Sequence, residues 1–432
     1  MDARLSQYIN NYLFGKGEAR LITVDLERFA ELFVYCTRGT VDEKLKVLLI
    51  SLGMGTDVND DIPYTLVKEY VESIVSSYMR IQRICNTIQF KSWKSRGCFV
   101  SPQNVQRLAE SLTYELARGD LITRRSLEVW LQGSTVLGQL LIFVFRHLYS
   151  ISHRDKVVQQ AGEKGATQFP GEESLTGNAE KDRSLIPVCR GLDLIPSYPS
   201  ILDLNQIVFI NAHLPQQYQL EWRFLFSSEI HGESFSTLIG EYDYIHLIVV
   251  WCLLVVIFRT HCESRSIRVN RGGSERLYFR RICSANWNLG PNFFGDDSCF
   301  LFTLVPKMRI FPSTGYNQHF QYLNLHQQTM PNGLAMGGQH GYCGLWLDQE
   351  YGIGHTSESC TTYSNYSQMS HTKNFQYRHL EVWGLGQPPP TAQERGERVG
   401  MSVLDGNVEG KALLKMVGRQ MHSEGIRETN PS

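Results

Sequence analysis

A chain of 432 residues, 42% of them hydrophobic, is long enough to bury two or three cores, which excludes disorder throughout. Its 42 basic and 43 acidic residues nearly cancel, and no long single-sign run stands out, so the overall balance gives no footprint for nucleic acid or an anionic membrane surface. Ten cysteines, scattered from Cys36 to Cys360 without CxxC pairs, point to reduced thiols and a cytosolic setting rather than a disulfide framework.

Met1 to Arg4 lacks the apolar core of a signal peptide, and Asp2 stands where N-myristoylation needs a glycine. Residues 1–152 read as helical. In Val24 to Tyr35 the apolar positions Leu26, Phe29, Ala30 and Phe33 fall on one helix face, with Thr23 as N-cap. Thr40 to Glu43 is a capping-box pattern that opens a second helix ending at Gly53. Leu66, Tyr70, Ile74 and Tyr78 make a third stripe. Ser101 and Pro102 open a fourth helix carrying Val105, Leu108, Leu112 and Leu116. The loop from Gly55 to Asp61 offers oxygens between two helices, but it lacks the sharp-turn glycine and the closing bidentate glutamate that calcium needs, so a metal-free EF-hand-like bundle is expected. Val136 to Phe145 is too short and too interrupted for a membrane span and reads as a buried core helix.

The chain turns polar from His153 to Ser184, as a linker or long surface loop does. A helix follows from Ser200 to Ala212. Ile245 to Phe258 is apolar but shorter than a bilayer span, and its Ile and Val content suits a buried strand, with Cys252 to Ile257 as the strand proper. Later segments are short aromatic runs broken by Gly, Asn and Ser, as in antiparallel β structure. After Trp383 the sequence Gly384 to Pro390 cannot continue a sheet and marks a boundary. The last segment is amphipathic. Leu413, Leu414, Met416, Val417 and Met421 form its apolar set against Lys411, Lys415 and Arg419, and a helix of this kind either folds back or finds a partner.

Trp222 to Phe235 (WRFLFSSEIHGESF) resembles the opening of the TLDc domain, and the likeness recurs in order. Phe294-Gly295-Asp296 with Cys299 to Phe302 is similar to the family's strand pair, and Thr314 to Asn317 to its next turn. Then come Pro331 to His340, with Gly337 and Gly338, Gly344 to Asp348, with Trp346, Cys360 to Tyr363, and Glu381-Val382-Trp383. The wording Gln327 to Gly333, the helix before Asn211 to Pro215, and the tail His422 to Gly425 resemble the mTOR-associated branch of the family. That branch begins with Met-Gly, so the resemblance implies a truncated or alternative start here. It also implies a β-sandwich with a few helices, no established catalytic activity, and binding to the vacuolar proton-pumping ATPase. Work at the lysosomal surface in nutrient signalling and resistance to oxidative stress are further implications. One departure stands out: the family's Gly-Gly-Phe-Ala before a Ser-x-x-Trp motif is missing, and Arg280 to Cys283 spells it only when its codons are read one base over. Residues 258–283 are therefore read as a frameshifted or mis-spliced insert, to be tested by sequencing the transcript.

The glycines Gly333, Gly337, Gly338, Gly341, Gly344, Gly352 and Gly354 lack the strand, helix and Lys-Ser/Thr context of a phosphate loop and read as turns and close packing. Ser228, Glu229 and His231 lie close in sequence without a strained nucleophile elbow. His340, Cys343, His355 and Cys360 lack zinc spacing. Glu229 and Glu381 sit in apolar strand patterns, so a buried carboxylate there must be hydrogen-bonded and serves to hold the sheets. Trp222, Trp346 and Trp383 read as core, with His231 and Gly232 as motif residues beside them.

The expected class is thus α+β: an EF-hand-like helical domain at 1–152, a polar linker at 153–190, a TLDc β-sandwich at 191–385, and a linker with an amphipathic helix at 386–432. The expected function is a non-enzymatic adaptor, without cofactor or metal, whose partners are the proton-pumping ATPase and mTOR-pathway proteins. The expected setting is cytoplasmic and peripheral at the lysosomal membrane, with no nucleic acid partner and no membrane span. The alternative is a stress-protective enzyme using the Ser/Glu/His group or a thiol.

Overall fold

Asp2 accepts a hydrogen bond from the Arg4 amide and starts α1 (Ala3–Phe14). The cap of α2 (Leu26–Arg38) is Asp25 rather than the expected Thr23, because the carboxylate reaches the Arg28 amide and also suits the positive helix start. α3 (Val41–Leu52) has the predicted capping box between Thr40 and Glu43, and ends at Gly53 with φ 75. These elements belong to a computed structural model that describes residues 1–15, 21, 23–55, 61–94, 100–117, 119–149, 184–191, 200–240, 247–250, 255–258 and 289–386.

β1 (Ile62–Pro63) leads into α4 (Tyr64–Cys85), followed by α5 (Ile88–Lys94) and α6 (Pro102–Leu112). β2 (Leu121–Ile122) then leads into α7 (Arg124–Gly133) and α8 (Thr135–Tyr149). β1 and β2 pair antiparallel with Ile62 opposite Ile122. Two helix, loop, strand and helix units coupled by such a pair have the arrangement of paired EF-hands. Residues 56–60 of the first loop lie outside the described residues, and among the described residues no three His, Cys, Asp or Glu side chains gather as a metal site. α8 is the expected core helix. Its Leu137, Leu140, Leu141 and Val144 are buried, and Phe143 meets Tyr78 edge-on at 4.8 Å. Among the described residues no single helix is long and apolar enough to cross a membrane.

The expected linker, 153–190, is corrected at its end. Residues 153–183 lie outside the described residues, but Leu185 and Ile186 are buried and Val188–Arg190 forms β3, because the polar composition gives way to apolar residues after Ser184. α9 (Leu204–His213) starts later than the expected Ser200, since Asp203 closes a capping box with Gln206. β4 (Glu221–Ser227), α10 (Ser228–His231) and α11 (Phe235–Gly240) follow. The expected single strand within Ile245 to Phe258 is instead two, β5 (Leu247–Val250) and β6 (Val255–Phe258), antiparallel with Val250 opposite Val255. Residues 259–283 of the suspected insert lie outside the described residues. Beyond them come β7 (Phe300–Thr303), β8 (Arg309–Pro312), β9 (Gln321–Asn324), β10 (Gly333–Gln339), β11 (Tyr342–Asp348), β12 (Ile353–His355), β13 (Asn374–Gln376) and β14 (Leu380–Leu385).

These strands make two sheets. The seven-stranded one runs β3-β4-β14-β5-β6-β7-β8 and the five-stranded one β13-β12-β11-β10-β9. All neighbours are antiparallel except β3 and β4. Gly384 and Leu385, expected to lie past the sheet, pair with Arg223 and Trp222, because the prolines that forbid pairing begin only at Pro388.

Alternation sends side chains to both faces of the larger sheet. On β7, Phe300 and Phe302 join a core shared with the helices, while Leu301 joins the core between the sheets. A bulge opposite Val382 and Trp383 gives β4 one extra residue, Leu225. The side-chain parity therefore switches, with Trp222 and Phe224 toward the helices and Leu225 and Phe226 toward the second sheet. The α+β class with a TLDc-type sandwich is as expected. The helical part and the facing side of the seven-stranded sheet share one continuous core, distinct from the core between the sheets, and residues 1–386 form one compact unit.

Candidate functional site: a buried glutamate and tryptophan cluster

β14 carries Glu381 and Trp383 on the face that looks at the helices. The Glu381 side chain is fully buried, where a carboxylate persists only with donors around it. Ser200 Oγ donates to it at 3.0 Å, the Ile201 amide at 2.8 Å and Trp383 Nε1 at 3.1 Å. The carboxylate therefore ties the turn before α9 to an interior strand of the sheet, rather than one sheet to the other as expected.

Three indoles meet beside it. Trp93 on α5 lies 5.0 Å from Trp383 and 5.8 Å from Trp222, and the latter two are 6.2 Å apart. Each indole N–H has its own acceptor: Trp93 donates to the Pro187 carbonyl, Trp222 to Asn211 Oδ1, and Trp383 to Glu381. Asn211 in turn donates to the carbonyls of Leu185 and Gln219. Large apolar rings with satisfied polar tips make a specific junction.

The Ser228, Glu229 and His231 group is brought to one short helix but not into a reactive geometry. Ser228 Oγ donates to the Arg378 carbonyl and accepts from the Leu380 amide, clamping α10 to the start of β14. Glu229 is corrected: it lies on α10 rather than in a strand, and its exposed carboxylate faces His379 at 2.7 Å. His231 Nδ1 accepts from the Ser227 amide, and its ring stacks on Phe226 at 5.3 Å. Gly232, with φ 90, ends the helix.

On the far side of the sandwich, Gly337 and Gly344 cradle Cys360. Gly337 has φ 70, and a Cβ there falls 2.7 Å from both Cys360 Sγ and the Tyr363 ring, while one on Gly344 falls 3.1 Å from Cys360 Sγ. Gly338, with φ 81, follows at the end of β10. Burial pushes the Cys343 thiol up to about 12, with Cys360 adding to the effect, so its thiolate is scarce at neutral pH. Trp346 packs with Tyr322, Ala335 and Cys343 in a small separate cluster on the five-stranded sheet, and its ring stacks on Tyr322 at 6.2 Å. Leu413, Leu414, Met416, Val417 and Met421 lie outside the described residues.

Sequence reasoning missed Trp93, Asn211, Ser200 and the latch between Arg309 and Tyr114, in which the guanidinium sits 4.7 Å over the ring and bonds its hydroxyl. The signal for Trp93 was its place three residues after Phe90, on the same face of a short helix. Asn211 opens the family-like segment Asn211 to Pro215, and the other two carry no signal without the fold.

The TLDc domain family matches residues 195–386, from just before α9 to the end of β14. Over 430 residues the chain is 31% identical to the MTOR-associated protein MEAK7 of Gallus gallus, spanning 96% of this chain and 81% of that protein. This chain belongs to the TLDc family. The MEAK7 protein of Danio rerio is 33% identical over 395 residues, covering 90% of this chain and 76% of its own length. Oxidation resistance protein 1 of Xenopus laevis is 28% identical over 189 residues, 43% of this chain and 19% of that protein. The MEAK7 matches cover nearly the whole chain and so include the helical bundle. The tryptophan and glutamate junction joins that bundle to the TLDc domain.

Proposed function

We propose that this TLDc protein is a non-enzymatic adaptor of mTOR nutrient signalling at the lysosomal surface. It binds the vacuolar proton-pumping ATPase through its TLDc domain and the segment bearing Leu413, Leu414, Met416, Val417 and Met421. The observation that carries the non-enzymatic reading is how the reactive side chains are employed: Ser228 Oγ and Glu381 are engaged by backbone and indole partners. The likeness to proteins named MTOR-associated supports the pathway. The apolar set near the C-terminus supports partner capture, each buried Leu or Met contributing ~1.5–3 kcal/mol before ordering costs.

The test is affinity capture from lysates with tagged full chain. The wild type retains mTOR-pathway proteins and proton-pump subunits, and Leu413→Asp with Val417→Asp loses the pump at an unchanged melting temperature. Undiminished capture removes that segment from the proposal. Peroxide consumption or esterase turnover by the purified protein, abolished in a His231 or Cys299 variant, sinks the non-enzymatic reading.

A further inference from the structure

The overall charge balance hides a local imbalance in the helical bundle. Between Glu72 and Glu110 the sequence has no Asp or Glu and carries Arg80, Arg83, Lys91, Lys94, Arg96 and Arg107. This stretch includes the corner where α4 ends at Cys85 and α5 begins at Ile88, with Asn86 turning the chain at φ 49. Asn adopts that left-handed conformation more readily than other side-chain-bearing residues.

Two isoleucines project from the corner, Ile84 with 76% and Ile88 with 73% of its surface exposed. Arg83, Lys91 and Lys94 are exposed beside them in sequence, and among the described residues no acidic side chain pairs with these three. Arg80, one turn before Ile84, is held by Asp2 at 3.8 Å and donates to the Met1 carbonyl at 2.9 Å. A groove of about 330 Å³ is lined by Met79, Pro102 and Val105 together with Arg80 and Arg83. The acidic residue on that lining, Glu72, is engaged by Arg4 at 2.9 Å.

Exposed apolar side chains are common one by one, but here two branched ones share a corner whose exposed charges are all basic. The apolar core of a protein interface is depleted of charge, whereas Arg83, Asn86 and Lys91 are exposed around these isoleucines. Projecting apolar side chains accompanied by unpaired cations match the boundary of an anionic bilayer, where apolar groups enter and cations stay at the phosphates. The geometry points to the α4–α5 corner as a membrane-docking tip that inserts Ile84 and Ile88 into the headgroup region of an anionic phospholipid bilayer, with Arg83, Lys91 and Lys94 at the lipid phosphates. This rests on the reading of the chain as peripheral at the lysosomal membrane, and adds the residues and the lipid charge that hold it there.

The purified full chain is floated with protein-free vesicles of phosphatidylcholine, with or without phosphatidylserine. Binding is expected on the anionic vesicles, weakened by salt, and about tenfold or more weaker on pure phosphatidylcholine. Ile84→Asp with Ile88→Asp lowers binding about 100-fold. Ile84→Ser with Ile88→Ser, which adds no charge, lowers it at least about tenfold. Arg83→Glu with Lys91→Glu removes the preference for phosphatidylserine. Melting temperatures stay at the wild-type value, since these side chains are exposed. Equal binding to both vesicle types, binding to neither, or wild-type binding by the serine variant overturns the proposal. So does a serine variant that keeps the vesicles but loses an acidic protein partner from lysates. The vesicles contain no proton pump, so failure here leaves the adaptor reading standing, and failure of pump capture from detergent lysates leaves vesicle binding untouched.

Discussion

On its helical side the seven-stranded sheet offers Trp222 and Glu381 to hydrogen-bonding partners on α9 and the Ser200 turn and Trp383 to the Trp93 ring on α5, whereas on its other side Leu225, Leu301 and Leu380 meet the five-stranded sheet by apolar packing. Each contact is specified in its own way. Directional bonds to a buried carboxylate and from the indoles fix α9 and the Ser200 turn against the sheet, and the bond from Trp93 to the Pro187 carbonyl fixes α5 beside them, because any other arrangement leaves polar groups unpaired in a dry interior. The sandwich interior is specified by shape, with glycines opening room where a side chain from the loop enters.

The largest effect is expected from Trp93→Ala, which leaves a cavity beside Trp222 and Trp383 and costs about 3–5 kcal/mol. Chemical denaturation followed by far-ultraviolet dichroism and by intrinsic fluorescence should shift together, because the helices and the sheet share this core. If the helical signal stays put while the fluorescence transition moves, the junction is not what couples them. On the opposite face, Gly337→Ala forces a side chain into the left-handed region and against Tyr363 and Cys360, at about 1–3 kcal/mol. Cys360 should then react faster with a thiol reagent, and unaltered reactivity would show that the glycine pair does not shape that pocket.

The smallest effect lies in the bundle, away from both faces. Burial pushes the Asp2 carboxyl up, but hydrogen bonds from Ser76 and the Arg4 amide and the Arg4 charge outweigh it, holding the pKa below its ordinary 3.8. A carboxylate shifted down stabilises the fold above its unfolded pKa, and that contribution disappears as pH falls through the folded value. Asp2→Asn should therefore cost under about 1 kcal/mol at neutral pH and nothing in strong acid. A stability gap between the two proteins that widens on acidification reverses the sign of this argument.

Much of the helical part was legible, because capping chemistry is local: the Thr40 box, Gly53 and the apolar stripe of α4 depend on residues a few positions apart. The cap of α2 was misplaced because Thr23 and Asp25 both satisfy the local pattern, and only reach to the Arg28 amide separates them. In the TLDc part, the aromatic and glycine punctuation indicated β structure, yet β5 and β6 read as one apolar run because a hairpin without a strong turn signal leaves no mark in composition. Glu381 was legible as a carboxylate needing partners, but the partners were not. Ser200 lies 181 positions away, and only the folded chain brings such residues together.

β3 carries one more consequence. It ends at Arg190, ahead of the span 195–386 that the family defines, yet it lies parallel to β4 and completes that edge of the larger sheet. An excised piece beginning at the family boundary would bare a strand edge and a tryptophan-lined surface at once, the two features that invite self-association. The span that the family defines and the span that covers its own sheet edge are thus different lengths of the same polypeptide.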